Sequence, residues 1–283
     1  MISIVIPAHN EAAVIARTLS NLLDGAQPGE LEVVVVANAC TDNTADIARS
    51  FPGVRVIETA TPGKTNALNL GEQATSAFPR FYVDADVILP LESLRAVARL
   101  LGEGKVHAAA PRMVPDLAES NFFVRAFYRL WLRLPYCLDG MIAGAYGLSE
   151  EGRRRFGAFP AVTADDAFVR LHFASHERQV LRHCTFTVVA PRSLSALIRI
   201  KTRGHFGNIE LRKQFPQLLR TNDVHHGGAL LGLALRPWLW PGIAVYLYVR
   251  AVSRLRSYQR YHWGKHDHWE RDETSRQVAA HPS

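Results

Sequence analysis

Asp84-Ala85-Asp86 places two carboxylates one residue apart at the end of the apolar run 80–83. On a continued strand, alternate side chains share a face, so these acids repel each other unless a cation lies between them. Mg²⁺ or Mn²⁺ gripping a diphosphate is the chemistry such an oxygen pair suits. The competing reading is a solvated turn, the ordinary place for a lone Asp-x-Asp, and the rest of the chain has to decide.

Other polar groups stand at comparable junctions. Pro7-Ala8-His9-Asn10-Glu11 follows an apolar run, where backbone amides can hold a base or ribose and where Asn10 equally suits an N-cap. Asn38 and Asp42 lie in the polar stretch 37–44. Lys64 stands on the Pro62-Gly63 turn, placed to meet either phosphate charge or plain solvent. The small-residue stretch 140–147 suits a backbone that approaches a ligand, or a simple turn. Asp165 and Asp166 precede a helical pattern over 167–173, where a carboxylate suits an N-cap.

The elements between these groups supply their frame. Runs 2–6, 32–36, 54–58 and 81–83 are short, apolar and β-branched, which predicts buried strands. Between them, Val14, Ile15, Thr18, Leu19 and Leu22 carry helical spacing over 11–23, and shorter helices are expected over 42–49 and 65–77. Such alternation predicts an α/β fold with a mostly parallel central sheet flanked by helices, binding its ligands at the carboxyl ends of the strands. After Pro90 the pattern predicts helices over 91–101, 121–138 and 201–219 and strands over 106–111 and 184–189.

Charge is unevenly spread along the chain. Residues 1–120 hold 9 Lys and Arg against 14 Asp and Glu, leaving 24 against 12 for the remainder. A basic second half faces nucleic acid, an anionic membrane or a phosphorylated substrate. No helix-turn-helix or RNA-binding aromatic motif is visible there, so nucleic acid is not expected. Three widely spaced cysteines, Cys40, Cys137 and Cys184, suggest neither a disulfide framework nor a zinc site. With no basic leader before the first run, the catalytic part is expected in the cytoplasm.

Stretch 227–249 is apolar over roughly the 20 residues that span a bilayer, but Arg236, Pro237 and Pro241 interrupt it. An interfacial or re-entrant hairpin is favoured over a clean span, with a buried core hairpin as the third possibility. Trp238, Trp240, Tyr246 and Tyr248 suit the headgroup region, and Arg250, Arg254, Arg256 and Arg260 make anionic lipid the expected partner.

Four successive strand ends carrying a base-pocket loop, an Asp turn, a Lys loop and an Asp-x-Asp resemble the nucleotide-binding half of the family-2 glycosyltransferases. The resemblance covers about residues 1–220. It implies a GT-A (Rossmann-like) fold with a C-terminal amphipathic helical extension, and inverting, metal-dependent transfer of a sugar from a nucleoside diphosphate to a hydroxyl. Pro7, Ala8, Asn10 and Glu11 match the opening motif, Asn38 and Asp42 the nucleoside turn, and Lys64 the lysine beside the diphosphate. Asp84, Ala85 and Asp86 match the motif that binds donor and metal, Mg²⁺ or Mn²⁺. Ala37-Asn38 departs from the acids many members carry, which leaves the nucleotide base open.

Within the same resemblance, 140–147 matches the loop lining the acceptor side, Asp166 matches the general base, and Asp165 serves as the cap. Arg203 takes the arginine place of the Gln-x-x-Arg-Trp motif, and Arg203 or Lys201 neutralises the departing diphosphate. Neither Gln nor Trp accompanies Arg203, which implies single transfer rather than polymerisation. His205 enters as a further metal ligand or an ordinary surface residue.

The expected organisation is a donor half 1–120, an acceptor half 121–220, membrane-associating helices 221–262 and a polar tail 263–283. In the tail, 269–276 is either a lid or a solvated end, with the latter preferred. A lipid-linked or amphipathic acceptor and peripheral or monotopic attachment to the cytoplasmic membrane follow. Two rivals remain: a sugar nucleotidyltransferase, which opens with a Gly- and Arg-rich phosphate loop, and a non-catalytic membrane-associated adaptor, which has no use for Asp84, Asp86 and Asp166.

Overall fold

The computed structural model describes residues 1–140, 142–221 and 227–263. The polar tail from 264 on, including 269–276, lies outside the described residues, as does Met141. The chain forms two compact units, the first comprising Met1–Val114, Met141–Ala161 and Asp165–Val188. The second comprises Pro115–Gly140, Val162–Ala164 and the described residues from Val189 on.

In chain order the elements are β1 (Ile2–Ala8), α1 (Ile15–Leu23), β2 (Leu31–Asn38), α2 (Thr44–Arg49), β3 (Val54–Thr59) and α3 (Lys64–Gln73). There follow β4 (Arg80–Val83), β5 (Val87–Ile88), α4 (Leu91–Gly102), β6 (Ala108–Asp116), α5 (Phe122–Trp131) and β7 (Ala145–Leu148). The last are α6 (Glu150–Arg153), α7 (Asp165–Leu171), β8 (Arg178–Val189), α8 (Leu194–Gln214), α9 (Gly227–Ala234) and α10 (Trp240–Trp263).

An eight-stranded sheet ordered β3-β2-β1-β4-β7-β6-β8-β5 runs through the first unit. β1 pairs in parallel with β2 and β4, and β2 with β3, so the parallel half is the run of strands the sequence pattern picks out. β7 then joins antiparallel to β4 and β6, which makes the sheet mixed beyond that point. The continuous apolar runs of β1 and β2 fit strands covered on both faces. Ile4, Ile6, Val33 and Val35 pack with Ile15, Leu19 and Leu22 of α1 in the main core, while Val34, Val36 and Ala67 form a second cluster. A Cβ on Gly71 would lie 2.3 Å from Val5 Cγ1, so glycine there lets α3 sit close to β1.

Several boundaries differ from the sequence expectation. The helix expected over 121–138 ends at Trp131, because Pro135 lacks the N–H that would bond the Trp131 carbonyl, and a π-helical turn, Tyr136–Gly140, follows. The basic helix expected from 201 begins at Leu194, where Ser193 caps it by accepting from Ala196 N–H. Of stretch 140–147, Gly140 ends the π-helical turn, residues 142–144 form a loop in which the φ of 74° at Gly144 favours glycine, and Ala145 begins β7.

In the second unit α10 packs on α5 and α8. A Cβ on Gly242 would lie 2.7 Å from the Ala126 carbonyl oxygen, so glycine permits this approach. Gly242, Tyr246, Val249, Ser253 and Ser257 form the buried face of α10, whereas Trp240, Leu247, Tyr248, Leu255 and Tyr258 are exposed. Arg236 and Pro237 separate α9 from α10, and Pro241 falls in the first turn of α10, where its missing N–H costs no hydrogen bond. Among the described residues no helix is long and apolar enough to cross a membrane.

Candidate functional site

The carboxyl ends of β1, β2 and β4 and the start of α3 meet in the first unit. Pro7 and Ala8 are the buried last residues of β1, and Asn10 follows with a left-handed φ of 52°. Its Oδ1 accepts from Thr41 N–H at 2.7 Å, fastening the two loops together. Asp42 accepts from Ala12 N–H at 3.1 Å and from Thr44 N–H at 3.1 Å, and Thr44 Oγ1 accepts from Glu11 N–H at 2.7 Å. Asn38 is buried, with Nδ2 donating to the Ala8 carbonyl at 2.8 Å and Oδ1 accepting from Gly63 N–H at 3.1 Å. It therefore clasps β1, β2 and the lysine loop, and both ends of its amide are engaged inside the protein.

Lys64, the first residue of α3, carries the contact that gathers the acids. Its Nζ lies 2.7 Å from Asp84 Oδ1 and 3.1 Å from Asp165 Oδ2. Burial acts to lower the ammonium pKa, but Asp165, Asp84 and Asp166 more than reverse this, and the group is held well above its usual range. Burial raises the Asp165 carboxyl, with Lys64 opposing and the neighbouring Asp166 and Asp84 adding to the rise. Asp166 is raised for the same first reason, although Lys64 and the Ala167 N–H oppose it. Asp166 Oδ1 accepts that N–H at 2.7 Å, so it is Asp166 that bonds the first turn of α7, while Asp165, expected as the cap, pairs with Lys64.

Asp84 and Asp86 do not continue β4, which ends at Val83. They stand on a turn closed by Val87 N–H donating to the Asp84 carbonyl at 3.1 Å. Thr18 Oγ1 donates to the buried Ala85 carbonyl at 2.7 Å and Arg17 Nη2 to the Asp86 carbonyl at 3.4 Å, while Asp84 N–H donates to the Gly144 carbonyl at 2.8 Å. The turn is thus anchored by its backbone, and both acid side chains are half-buried. Among the described residues no three His, Cys, Asp or Glu side chains are placed to hold a metal ion. Two half-buried carboxylates fit a hard cation that takes its remaining oxygens from substrate phosphates and water, the usual mode for Mg²⁺.

The sequence reading missed two features. Tyr146 on β7 is buried, and its hydroxyl has no hydrogen-bond partner among the described residues, although Asp165, Asp166 and Asp84 lie near enough to raise its pKa further after burial. Glu72 of α3 accepts from Arg80 at 3.0 Å, from Arg153 at 2.6 Å and from the Tyr82 hydroxyl, which ties α3, β4 and α6 together. A tyrosine in a run of small residues was the available signal for the first, and no local pattern announced the second. Arg203, Lys201 and His205 lie on α8 in the second unit.

Residues 3–149 match the family described as Glycosyl transferase family 2. A beta-monoglucosyldiacylglycerol synthase from Nostoc sp. is 32% identical over 132 residues, which cover 44% of this chain and 28% of that protein. The chain therefore spans only about a quarter of that curated relative's length. Among solved structures, a mannosyltransferase from Pyrobaculum calidifontis in complex with GDP-Man and Mn²⁺ superposes with a TM-score of 0.66 at 20% identity, covering 93% of this chain and 87% of that one. Glucosyl-3-phosphoglycerate synthase from Mycobacterium tuberculosis, in complex with Mg²⁺ and UDP, gives 0.53 at 20% identity, covering 75% and 78%. The two structural likenesses concern the fold.

Proposed function

Because this chain belongs to glycosyl transferase family 2, we propose that it moves a sugar from a nucleoside diphosphate to an acceptor hydroxyl by inverting, single transfer. The observation that carries the reading is Lys64 Nζ within 3.1 Å of both Asp84 and Asp165, which joins the Asp-x-Asp turn to the acidic pair at the carboxyl end of the sheet. Asp84 and Asp86 are the residues that would hold Mg²⁺ or Mn²⁺, whose chemistry there is to neutralise diphosphate oxygens. Metal-bound relatives in fold support this assignment.

In this reading the loops of Pro7, Ala8, Asn10, Glu11 and Asp42 receive the nucleoside, Asn38 fixes their spacing, and Lys64 brings positive charge to the diphosphate. Asp166 takes the proton of the acceptor hydroxyl as its oxygen attacks the anomeric carbon. The bond from that carbon to the diphosphate oxygen breaks on the opposite face, and the configuration inverts. Burial has already raised the basicity of Asp166, which suits a proton acceptor. Assignment of Arg203 to the departing diphosphate rests on sequence resemblance alone.

A lipid-linked or amphipathic acceptor is supported by the diacylglycerol in the name of the Nostoc relative and by the aromatic side chains exposed on α10. The same face supports peripheral attachment at a membrane, and the three free cysteines suit its cytoplasmic side. The donor half 1–120 and acceptor half 121–220 are our proposed division of labour.

A screen of nucleotide sugars with Mn²⁺, read as thermal stabilisation and donor hydrolysis, tests the reading. A matching nucleoside diphosphate is expected to raise the melting temperature in the wild type and not in Asp86→Ala. An equal rise in that variant refutes the metal assignment.

A further inference from the structure

From Val189 on, Glu210 is the single acid among the described residues, and it accepts from Thr163 N–H at 2.9 Å. Against it stands a group of cations on two packed helices. Lys201 of α8 has its Nζ 3.9 Å from the Trp131 ring centroid and 5.3 Å from that of Phe127, both on α5. Phe127 lies 5.9 Å from Tyr246 of α10, whose hydroxyl accepts from Arg250 Nη1 at 2.9 Å. His205 follows Lys201, and Arg254 follows Arg250, each one helical turn on. None of these four side chains has a carboxylate partner among the described residues.

Four cationic or ionisable nitrogen groups set over an aromatic floor without counter-charge repel one another and lose hydration. Burial draws the Lys201 ammonium down to about 8, and the imidazole of His205 is drawn to about 4 by burial and then by Arg254, Lys201 and Arg250. An anion relieves both costs at once. The exposed side chains beside this group, Trp240, Leu247, Tyr248, Leu255 and Tyr258, lie on the same helix as Arg250 and Arg254 and are apolar or aromatic. Aromatic and basic residues side by side on one helix suit the boundary between headgroups and acyl chains.

We propose that Lys201, His205, Arg250 and Arg254 form a binding site for the phosphoryl group of an anionic lipid, with the aromatic face of α10 against its acyl chains. The site rests on the membrane-surface part of the proposed function, and it needs neither nucleotide nor metal.

Co-sedimentation of the full chain with vesicles of phosphatidylcholine, with and without phosphatidic acid, tests it. Wild type is expected to bind the phosphatidic acid vesicles selectively. Lys201→Met and Arg250→Met are each expected to lose about tenfold in affinity, the scale of one charge-assisted hydrogen bond. Lys105→Met, the same charge change at an exposed residue outside α8 and α10, retains binding. Lys201→Met also melts at a higher temperature than wild type, since a poorly hydrated charge has gone, so loss of binding is not loss of fold.

Equal binding to both vesicle types overturns the proposal. So does unchanged binding by Lys201→Met and Arg250→Met, or an equal loss in Lys105→Met. Stabilisation by soluble glycerol phosphate without vesicle binding overturns the lipid as its source. The nucleotide-sugar screen is read separately, so a transferase without lipid binding, or the reverse, tells which inference failed.

Discussion

Tyr146 lies directly opposite Tyr82 across the β4–β7 ladder with ring centroids 5.1 Å apart, yet their hydroxyls meet different surroundings. Tyr82 donates to Glu72, while the Tyr146 hydroxyl is unpartnered among the described residues. An unmet buried donor costs about 1–3 kcal/mol. Tyr146→Phe is therefore expected to stabilise the ligand-free protein by about 1 kcal/mol in urea unfolding. A destabilised variant would show that this hydroxyl has a partner.

Glu72 is the opposite case, a largely covered acid with three partners. Glu72→Ala strands Arg80 and Arg153 in a poorly hydrated place, and breaking a buried pair in this way costs about 3–5 kcal/mol. The midpoint of unfolding should fall accordingly, and a loss under about 1 kcal/mol would mean that water already screens the cluster.

Asp166→Asn keeps an oxygen for the Ala167 N–H but removes the proton acceptor. A fall in kcat of about 10²–10⁴ is expected, with little change in donor KM and an unchanged melting curve. Full activity in this variant would remove Asp166 from the chemistry.

Lys201 gives a pH signature. Its folded pKa, about 8, lies below the unfolded lysine value of about 10.4, so between them the unfolded chain holds more protons and stability rises with pH. The contribution is unfavourable at neutral pH and is relieved as pH passes upward through this window. Stability of wild type minus that of Lys201→Met should therefore climb from about pH 8 to about pH 10, whereas a flat difference would place the ammonium in water.

Legibility in the sequence followed the physics of each part. β1 and β2 were plain because fully buried parallel strands need unbroken apolar runs, and α1 because Ile15, Thr18, Leu19 and Leu22 keep a helical period. Pro7, Asn38, Lys64 and Asp84 could be placed at strand ends for the same reason. β7 was hidden because Ala145 and Gly147 carry no strand signature, although their backbone pairs with β4. Pairing of Lys64 with Asp165 joins residues a hundred positions apart, and only the folded sheet brings them together. The roles of Asp165 and Asp166 were harder to separate, because two adjacent acids differ only in which way the first turn of α7 points them.

The Asp84 amide and the Gly144 carbonyl share one hydrogen bond of 2.8 Å. The segment running into β7 and the acid-bearing turn after β4 are therefore one mechanical piece, clamped from its other side by Thr18. A molecule that steadies either end removes freedom from both, so two occupants of this region help each other by equal factors, whichever arrives first.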